Sequence, residues 1–217
     1  MTDGPLIVQS DKTLLLDVDH LLSDECRREI APFAELEKSP EHIHTYRLTS
    51  LGLWNARAAG HDAEAVINTL LKYSRFAVPH ALLVDVAETM SRYGRLRLES
   101  HPVHGLVLVS NDPAVLKEVT RGKKIAPMLG LPLDDETIIV HPGQRGFLKQ
   151  ALLKLGWPAE DFAGYVDGEA HEISLNQDGW KIRKYQELAA EGFWHGGSGV
   201  VVLPCGAGKT IVGAAAM

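Results

Sequence analysis

One run near the end of the sequence constrains the fold more than any other. Val200 to Thr210 read VVVLPCGAGKT, four apolar residues of strand character, then a proline, then a glycine-rich turn ending in Gly208-Lys209-Thr210. The run predicts a buried strand aiming a loop whose small residues let successive backbone N–H groups turn inward toward phosphate oxygens. In such a loop the lysine reaches the β/γ-phosphates, and the threonine hydroxyl can ligate Mg²⁺. Ile211 to Met217 (IVGAAAM) predicts a helix whose positive N-terminus adds to anion binding. The strict pattern asks for glycine at position 203, where Leu203 stands. A bare GKT tripeptide is a common chance match, so the context carries the reading. Pro204 ends the strand, and Gly206 and Gly208 supply the freedom the turn needs. An ordinary glycine-rich turn is the weaker alternative. The sequence stops a turn or two into the last helix, so it reads as a piece of a longer protein.

A chain of 217 residues has room for about one or two domains. Hydrophobic content of 45% and charged content of 23% fit a soluble globular protein. No apolar run reaches the roughly eighteen residues of a membrane span, and Met1 to Ser10 lack the pattern of a secretion signal, which predicts a cytoplasmic protein with no membrane partner. Cys26 and Cys205 lie far apart in different kinds of segment, which argues against a disulfide and against a paired-cysteine metal site. His42 and His44, like His101 and His104, lack the companions zinc requires and read as surface or packing residues.

Along the chain, Leu6 to Val8 and Leu14 to Val18 predict a hairpin. Ser23 is the expected N-cap of a helix from about Asp24 to Leu36. His42 to Leu48 reads as a strand. Three helices follow, over Leu51 to Ala59, Asp62 to Arg75 and Pro79 to Tyr93. The second places Ala65, Val66, Thr69, Leu70 and Tyr73 on one stripe, and the third has its proline at the first helical position. Arg95 to Glu99 and Gly105 to Ser110 then alternate at period two, a second hairpin. Three helices plus a two-stranded wing predict a winged-helix-like unit, whose last helix enters the DNA major groove in such proteins. Here that helix is mostly apolar with Arg92 as its only cation, which favours a buried helix in a protein-contact domain.

Asn111-Asp112-Pro113 caps a helix to about Arg121, Thr137 to Val140 reads as a strand, and Gly146 to Leu155 as an amphipathic helix closed by Gly156. Phe147, Leu148, Ala151, Leu152 and Leu155 form its expected inward face. The result is a small sheet with helices on one side. Trp180 to Phe193 is helical in pattern, and His195 to Gly199 reads as a loop.

Net charge is −6, yet the charge is uneven. Residues 1–90 carry 8 Lys/Arg and 14 Asp/Glu (−6), residues 91–154 carry 10 and 6 (+4), and residues 155–217 carry 4 and 8 (−4). Arg121, Lys123, Lys124, Arg145, Lys149 and Lys154 make the middle third basic. They suit nucleic-acid phosphates or, equally, a solvated helix face.

Arg183-Lys184-Tyr185-Gln186 stands upstream of the loop, with Gln186 eighteen residues before Pro204. This arrangement resembles superfamily-2 helicases, with their glutamine motif and phosphate-loop motif. LPCGAGKT, together with LGLWNARAAGHDAE, KYSRFAVPHALLVDV and RYGRLRLES, resembles the XPB family of DNA repair helicases over nearly the whole chain. The resemblance implies an ATP-driven 3′ to 5′ DNA translocase used in repair, with Mg²⁺ as the companion ion and DNA, a repair nuclease or other repair proteins as partners. It implies a mixed α/β chain in three parts: an N-terminal region to residue 94, a unit similar to the family's damage-recognition domain over 95–172, and the start of a RecA-like P-loop domain from 173. By the motif match Gln186 would hydrogen-bond the adenine edge, with Arg183 or Tyr185 packing nearby. Leu203, Pro204, Cys205, Gly206, Ala207, Gly208, Lys209 and Thr210 would hold the nucleotide, with Lys209 on phosphate and Thr210 on Mg²⁺. The acidic metal-positioning motif and the second motor domain are not in these 217 residues, so no ATP hydrolysis is expected of them alone. The competing reading is a protein-interaction module, without DNA contact, attached to an unrelated P-loop ATPase.

Overall fold

Leucines at every second position of the N-terminal hairpin can be buried on one face only if the strands pair in register, and they do. In the computed structural model, which describes residues 4–165, 169, 172–196 and 199–217, β1 (Leu6–Val8) pairs antiparallel with β2 (Thr13–Asp17), setting Leu6 opposite Leu16 and Val8 opposite Leu14. β2 also pairs with β4 (Ile43–Arg47), and β4 with β3 (Glu35–Lys38), giving the order β1-β2-β4-β3. Helices α1 (Ser23–Ile30), α2 (Ser50–Ala58), α3 (Ala63–Tyr73) and α4 (His80–Ser91) share one core with this sheet. In it Leu6, Leu14, Leu16, Ile30, Leu53, Leu70 and Val86 are fully or almost fully buried.

Helix starts follow their caps. Thr49 accepts the Gly52 N–H at 2.9 Å, and Asp62 accepts the Ala65 N–H at 2.8 Å, each satisfying an orphan donor of a first turn. Four local expectations are corrected. Ser23 is the first residue of α1 and not its cap, since Leu22 holds that position without a side-chain bond. α1 stops at Ile30, because Glu35–Lys38 leaves as an edge strand, with every residue exposed. Pro79 is the N-cap residue of α4, one position before the helix, and Ala65 lies outside the buried stripe of Val66, Leu70 and Tyr73.

The expected winged-helix unit does not form. Gly94, at φ +82°, turns the chain out of the first lobe. β5 (Leu96–His101) and β6 (Gly105–Ser110) then enter a second sheet, order β7-β8-β6-β5-β9, with β7 (Leu129–Pro132), β8 (Thr137–Val140) and β9 (Ala159–Asp161). Leu98, Leu108 and Ile138 meet across these strands and belong to a second core. α5 (Pro113–Thr120) and α6 (Arg145–Leu155) contribute Val115, Leu116, Val119, Leu148 and Leu152 to that core, so both helices lie on one face of the sheet. Pro132 sits on an edge strand, where its missing N–H is tolerated. Gly156, left-handed at φ +88°, ends α6 as read from sequence, whereas Phe147 and Leu155 point outward, at 64% and 42% exposure.

Among the described residues, β9 pairs parallel with β5 while the other pairs of this sheet are antiparallel, and an ion cluster fixes its end. Asp161 accepts from Arg145 at 2.7 and 3.0 Å and from Lys149 at 2.9 Å. Burial raises the Asp161 carboxyl, but the bonds from Arg145 and Lys149 outweigh it and hold it below the ordinary 3.8. A carboxylate depressed in the native state adds stability that is full above the unfolded value and fades as pH falls through 3.8 toward the lower native value. Asp161→Asn is therefore expected to cost about 1–3 kcal/mol at pH 7. Urea unfolding should show that deficit shrinking below pH 3.8; a deficit independent of pH contradicts the assignment.

The chain divides into two compact units, Met1–Tyr165 and Val166–Met217. In the second, α7 (Lys184–Gly196) packs against α8 (Lys209–Ala215). α7 begins four residues later than the expected Trp180 and runs on through His195, so part of the expected loop is helix; residues 197 and 198 of that loop lie outside the described residues. The expected strand at 200–203 forms no strand and has no ladder partner among the described residues, and Val200 and Val202 are 91% and 87% exposed. Strand propensity produces a strand only when a neighbour supplies the hydrogen bonds. No described helix is long and apolar enough to cross a membrane.

Candidate functional site

The glycines of the loop do what the sequence required of them. Gly206 and Gly208 both adopt φ +77°, a left-handed conformation costly for any other residue. Gly208 is the N-cap of α8, and no side chain caps that helix. The first-turn N–H groups of a helix have no intrahelical acceptor, so those at Lys209 and Thr210 are available to an anion. α8 starts at Lys209, two residues earlier than read from sequence, and places Lys209 and Thr210 in its first turn.

Residues 183–186 meet the loop directly. Gln186 is 5% exposed and both ends of its amide are engaged. Its Oε1 accepts the Arg183 N–H at 2.9 Å, the reciprocal half of a capping box at the start of α7. Its Nε2 donates to Ala207 O at 3.0 Å and lies 3.4 Å from Gly208 O. A Cβ on residue 208 would fall 2.6 Å from that Nε2, so another residue here would displace the end of the Gln186 side chain as well as strain the φ +77° backbone. The Tyr185 hydroxyl donates to Ala207 O at 2.7 Å and accepts from Arg183 Nη1 at 3.1 Å. Lys209 Nζ donates to Leu203 O at 2.7 Å and Pro204 O at 2.9 Å, folding the lysine over its own loop. Leu203, Pro204, Cys205, Gly206 and Ala207 thus form a turn bridged by Lys209 on one side and by Tyr185 and Gln186 on the other. The hydroxyl bond of Tyr185 is the contact that motif spacing did not foretell. A cavity of about 390 Å³ beside α8 is lined chiefly by apolar side chains, among them Phe193, Val201 and Val212, and does not coincide with the glycine turn.

The six candidate cations separate in the first unit. Arg145 and Lys149 are tied to Asp161, and the Arg145 guanidinium also lies 4.9 Å from the Tyr165 ring. Arg121, Lys123, Lys124 and Lys154 are exposed. Among the described residues no three of His, Cys, Asp and Glu converge as a metal site, and both cysteines are thiols, Cys26 buried and Cys205 exposed.

Comparison with known proteins now bears on these features. The family described as helicase conserved C-terminal domain matches residues 6–134. Two proteins named DNA 3′-5′ helicase XPB, from Mycobacterium tuberculosis and Kineococcus radiotolerans, are each 71% identical over all of this chain. The chain belongs to the XPB helicase family. Likeness extends to the general transcription and DNA repair factor IIH helicase/translocase subunit XPB of Enterocytozoon bieneusi, 26% identical over 99% of this chain and 36% of that protein. The chain spans about 40% of the length of the bacterial XPB helicases it matches. The family match covers all of the first sheet and the second through β7, and it stops well before the phosphate loop.

Proposed function

We propose that this chain forms part of an ATP-dependent 3′-5′ DNA translocase that acts in DNA repair in the cytoplasm. It would supply a DNA-contacting region and the adenine and phosphate-loop elements of the motor. The observation that carries the reading is the join of Arg183, Tyr185 and Gln186 to a turn made by two left-handed glycines, within a chain 71% identical to XPB helicases. In this reading the three parts are an N-terminal region (1–94), a damage-recognition-like unit (95–172) and the beginning of a RecA-like domain (173–217). Two separate apolar cores before residue 165 support the first division.

The residues present fit a nucleotide. Uncapped N–H groups at the start of α8, the small Gly206 with open space where a Cβ would be, and a flexible cation in Lys209 form a donor set of the kind phosphate oxygens accept. Lys209 would exchange the carbonyls of Leu203 and Pro204 for the β/γ-phosphates, and Thr210 would place its hydroxyl on Mg²⁺. Gln186, with Arg183 or Tyr185 beside it, would meet the adenine. Bound ATP supplies the phosphoryl group whose transfer drives movement. Of the candidate cations, Arg121, Lys123, Lys124 and Lys154 are the ones this reading gives to DNA phosphates, since Arg145 and Lys149 are held by Asp161; a repair nuclease is a partner class.

A thiol test checks nucleotide binding without catalysis. Cys26 is buried, and that burial, with Glu25 and Glu29 nearby, pushes its thiol up to about 12, whereas Cys205 is exposed within the turn. One thiol of two is expected to react with a disulfide reagent in the native protein, and MgATP is expected to slow that reaction at least about tenfold by covering the turn. Labelling of Cys205 at an unchanged rate in saturating MgATP counts against the proposal.

A further inference from the structure

Ten lysines and arginines lie between Arg92 and Lys154, and they divide cleanly in space. Five hold an acid: Arg92 with Glu88, Arg95 with Asp112, Arg97 with Glu99, and Arg145 and Lys149 with Asp161. The other five, Lys117, Arg121, Lys123, Lys124 and Lys154, pair with no acid among the described residues, and all are exposed. They belong to α5, the turn that follows it and the last turn of α6. Glu118 is the single carboxylate in those segments, and it accepts the Trp157 indole N–H at 3.0 Å.

Lys123, Lys124 and Lys154 surround one concavity of about 280 Å³, whose remaining walls are Gly122, Ile125, Ala151 and Leu155. Cations at helix C-termini answer the macrodipole, which accounts for Arg121 and Lys154. It does not account for Lys123 and Lys124, which stand beyond the end of α5 and converge with Lys154. Like charges gathered round an apolar-floored hollow repel one another unless an anion sits between them. The three ammonium groups are mobile point charges, suited to a phosphate oxygen and unable to read a base edge by a fixed fork.

We propose that this hollow is a phosphodiester site, in which Lys123, Lys124 and Lys154 take one backbone phosphate of duplex DNA without regard to sequence. Arg145 and Lys149 are excluded from it and serve to hold β9. The assignment deepens the DNA-translocase reading and rests on it, while committing to a smaller set of contacts.

Each backbone phosphate neutralised contributes about 0.9 to the slope of log K against log salt. The protein carrying Lys123→Gln, Lys124→Gln and Lys154→Gln together is expected to bind labelled duplex with a slope about 0.9 shallower than the unsubstituted protein. Its affinity at 0.1 M salt should be roughly eightfold lower, equally for two duplexes of unrelated sequence. Lys149→Gln, which leaves Asp161 with Arg145, should keep the original slope. An unchanged slope in the triple variant, or the same loss in Lys149→Gln, overturns the site while leaving the translocase reading intact. Absence of duplex binding by the unsubstituted protein overturns both. Inorganic phosphate titrated into each protein separates the sources: phosphate binding abolished by the triple substitution, with the DNA slope untouched, would assign the hollow to a free anion and reject the phosphodiester.

Discussion

Lys209→Ala in the full-length protein is expected to lower DNA-stimulated ATP hydrolysis by about 10²–10³-fold. The magnitude follows from what phosphoryl transfer needs. Charge spreads over the γ-phosphoryl oxygens, and the catalyst contributes position and electrostatics more than covalent chemistry, so removing the cation proposed to meet that charge removes several kcal/mol of stabilisation. Lys209 is exposed and its ammonium rests only on Leu203 O and Pro204 O. Alanine at this helical position is favourable for α8 and leaves no buried group unsatisfied. Lost turnover with an unchanged melting temperature is therefore the expected pair of results, measured by phosphate release and thermal unfolding. Undiminished DNA-stimulated turnover in this variant would remove the loop from the motor.

The second large effect is structural. Leu108 is fully buried on β6, the central strand of the five-stranded sheet, opposite Leu98 on one side and Ile138 on the other. Leu108→Ala is expected to cost about 2–5 kcal/mol, the transfer term of the lost atoms plus the cavity they leave between two strands that cannot close on it. Thermal unfolding should shift down by roughly 5–15 °C for a unit of this size. Leu153, on the exposed side of α6, is the comparison: its alanine variant should lie within about 1 kcal/mol of the unsubstituted protein. Equal losses at both positions contradict the separate core assigned to this sheet.

Much of the local structure was legible, because short-range chemistry decides it. Two short apolar runs marked the β1–β2 hairpin, Asp112 capped α5 and Gly156 ended α6, whereas Asp62, read as the first residue of its helix, proved to be the cap. What was not legible depends on partners far away in sequence. β3, β7 and β9 are three or four residues long, too short for a periodic signal, and exist because a neighbouring strand offers a ladder. The β5–β6 hairpin was visible, but the sheet it joins was not, since alternation says which residues face inward and not toward which core. Val200 to Leu203 shows the same limit reversed: strong strand character with no neighbour to pair it among the described residues. In the glycine turn, the left-handed backbone at Gly206 and Gly208 was expected from the residue types alone. That Gln186 and Tyr185 would both bond Ala207 O is a tertiary fact.

The same amide of Gln186 that steadies the start of α7 also fills the space a side chain at 208 would need. The two positions therefore form one mechanical part, and their identities are not independent choices. A methyl group added at 208 would have to displace the Gln186 Nε2, which donates to Ala207 O. Conversely, a shorter residue at 186 would make room at 208 and so soften the demand for glycine, leaving only the torsional one. Coupling between the two is read by comparing each single substitution with the double one.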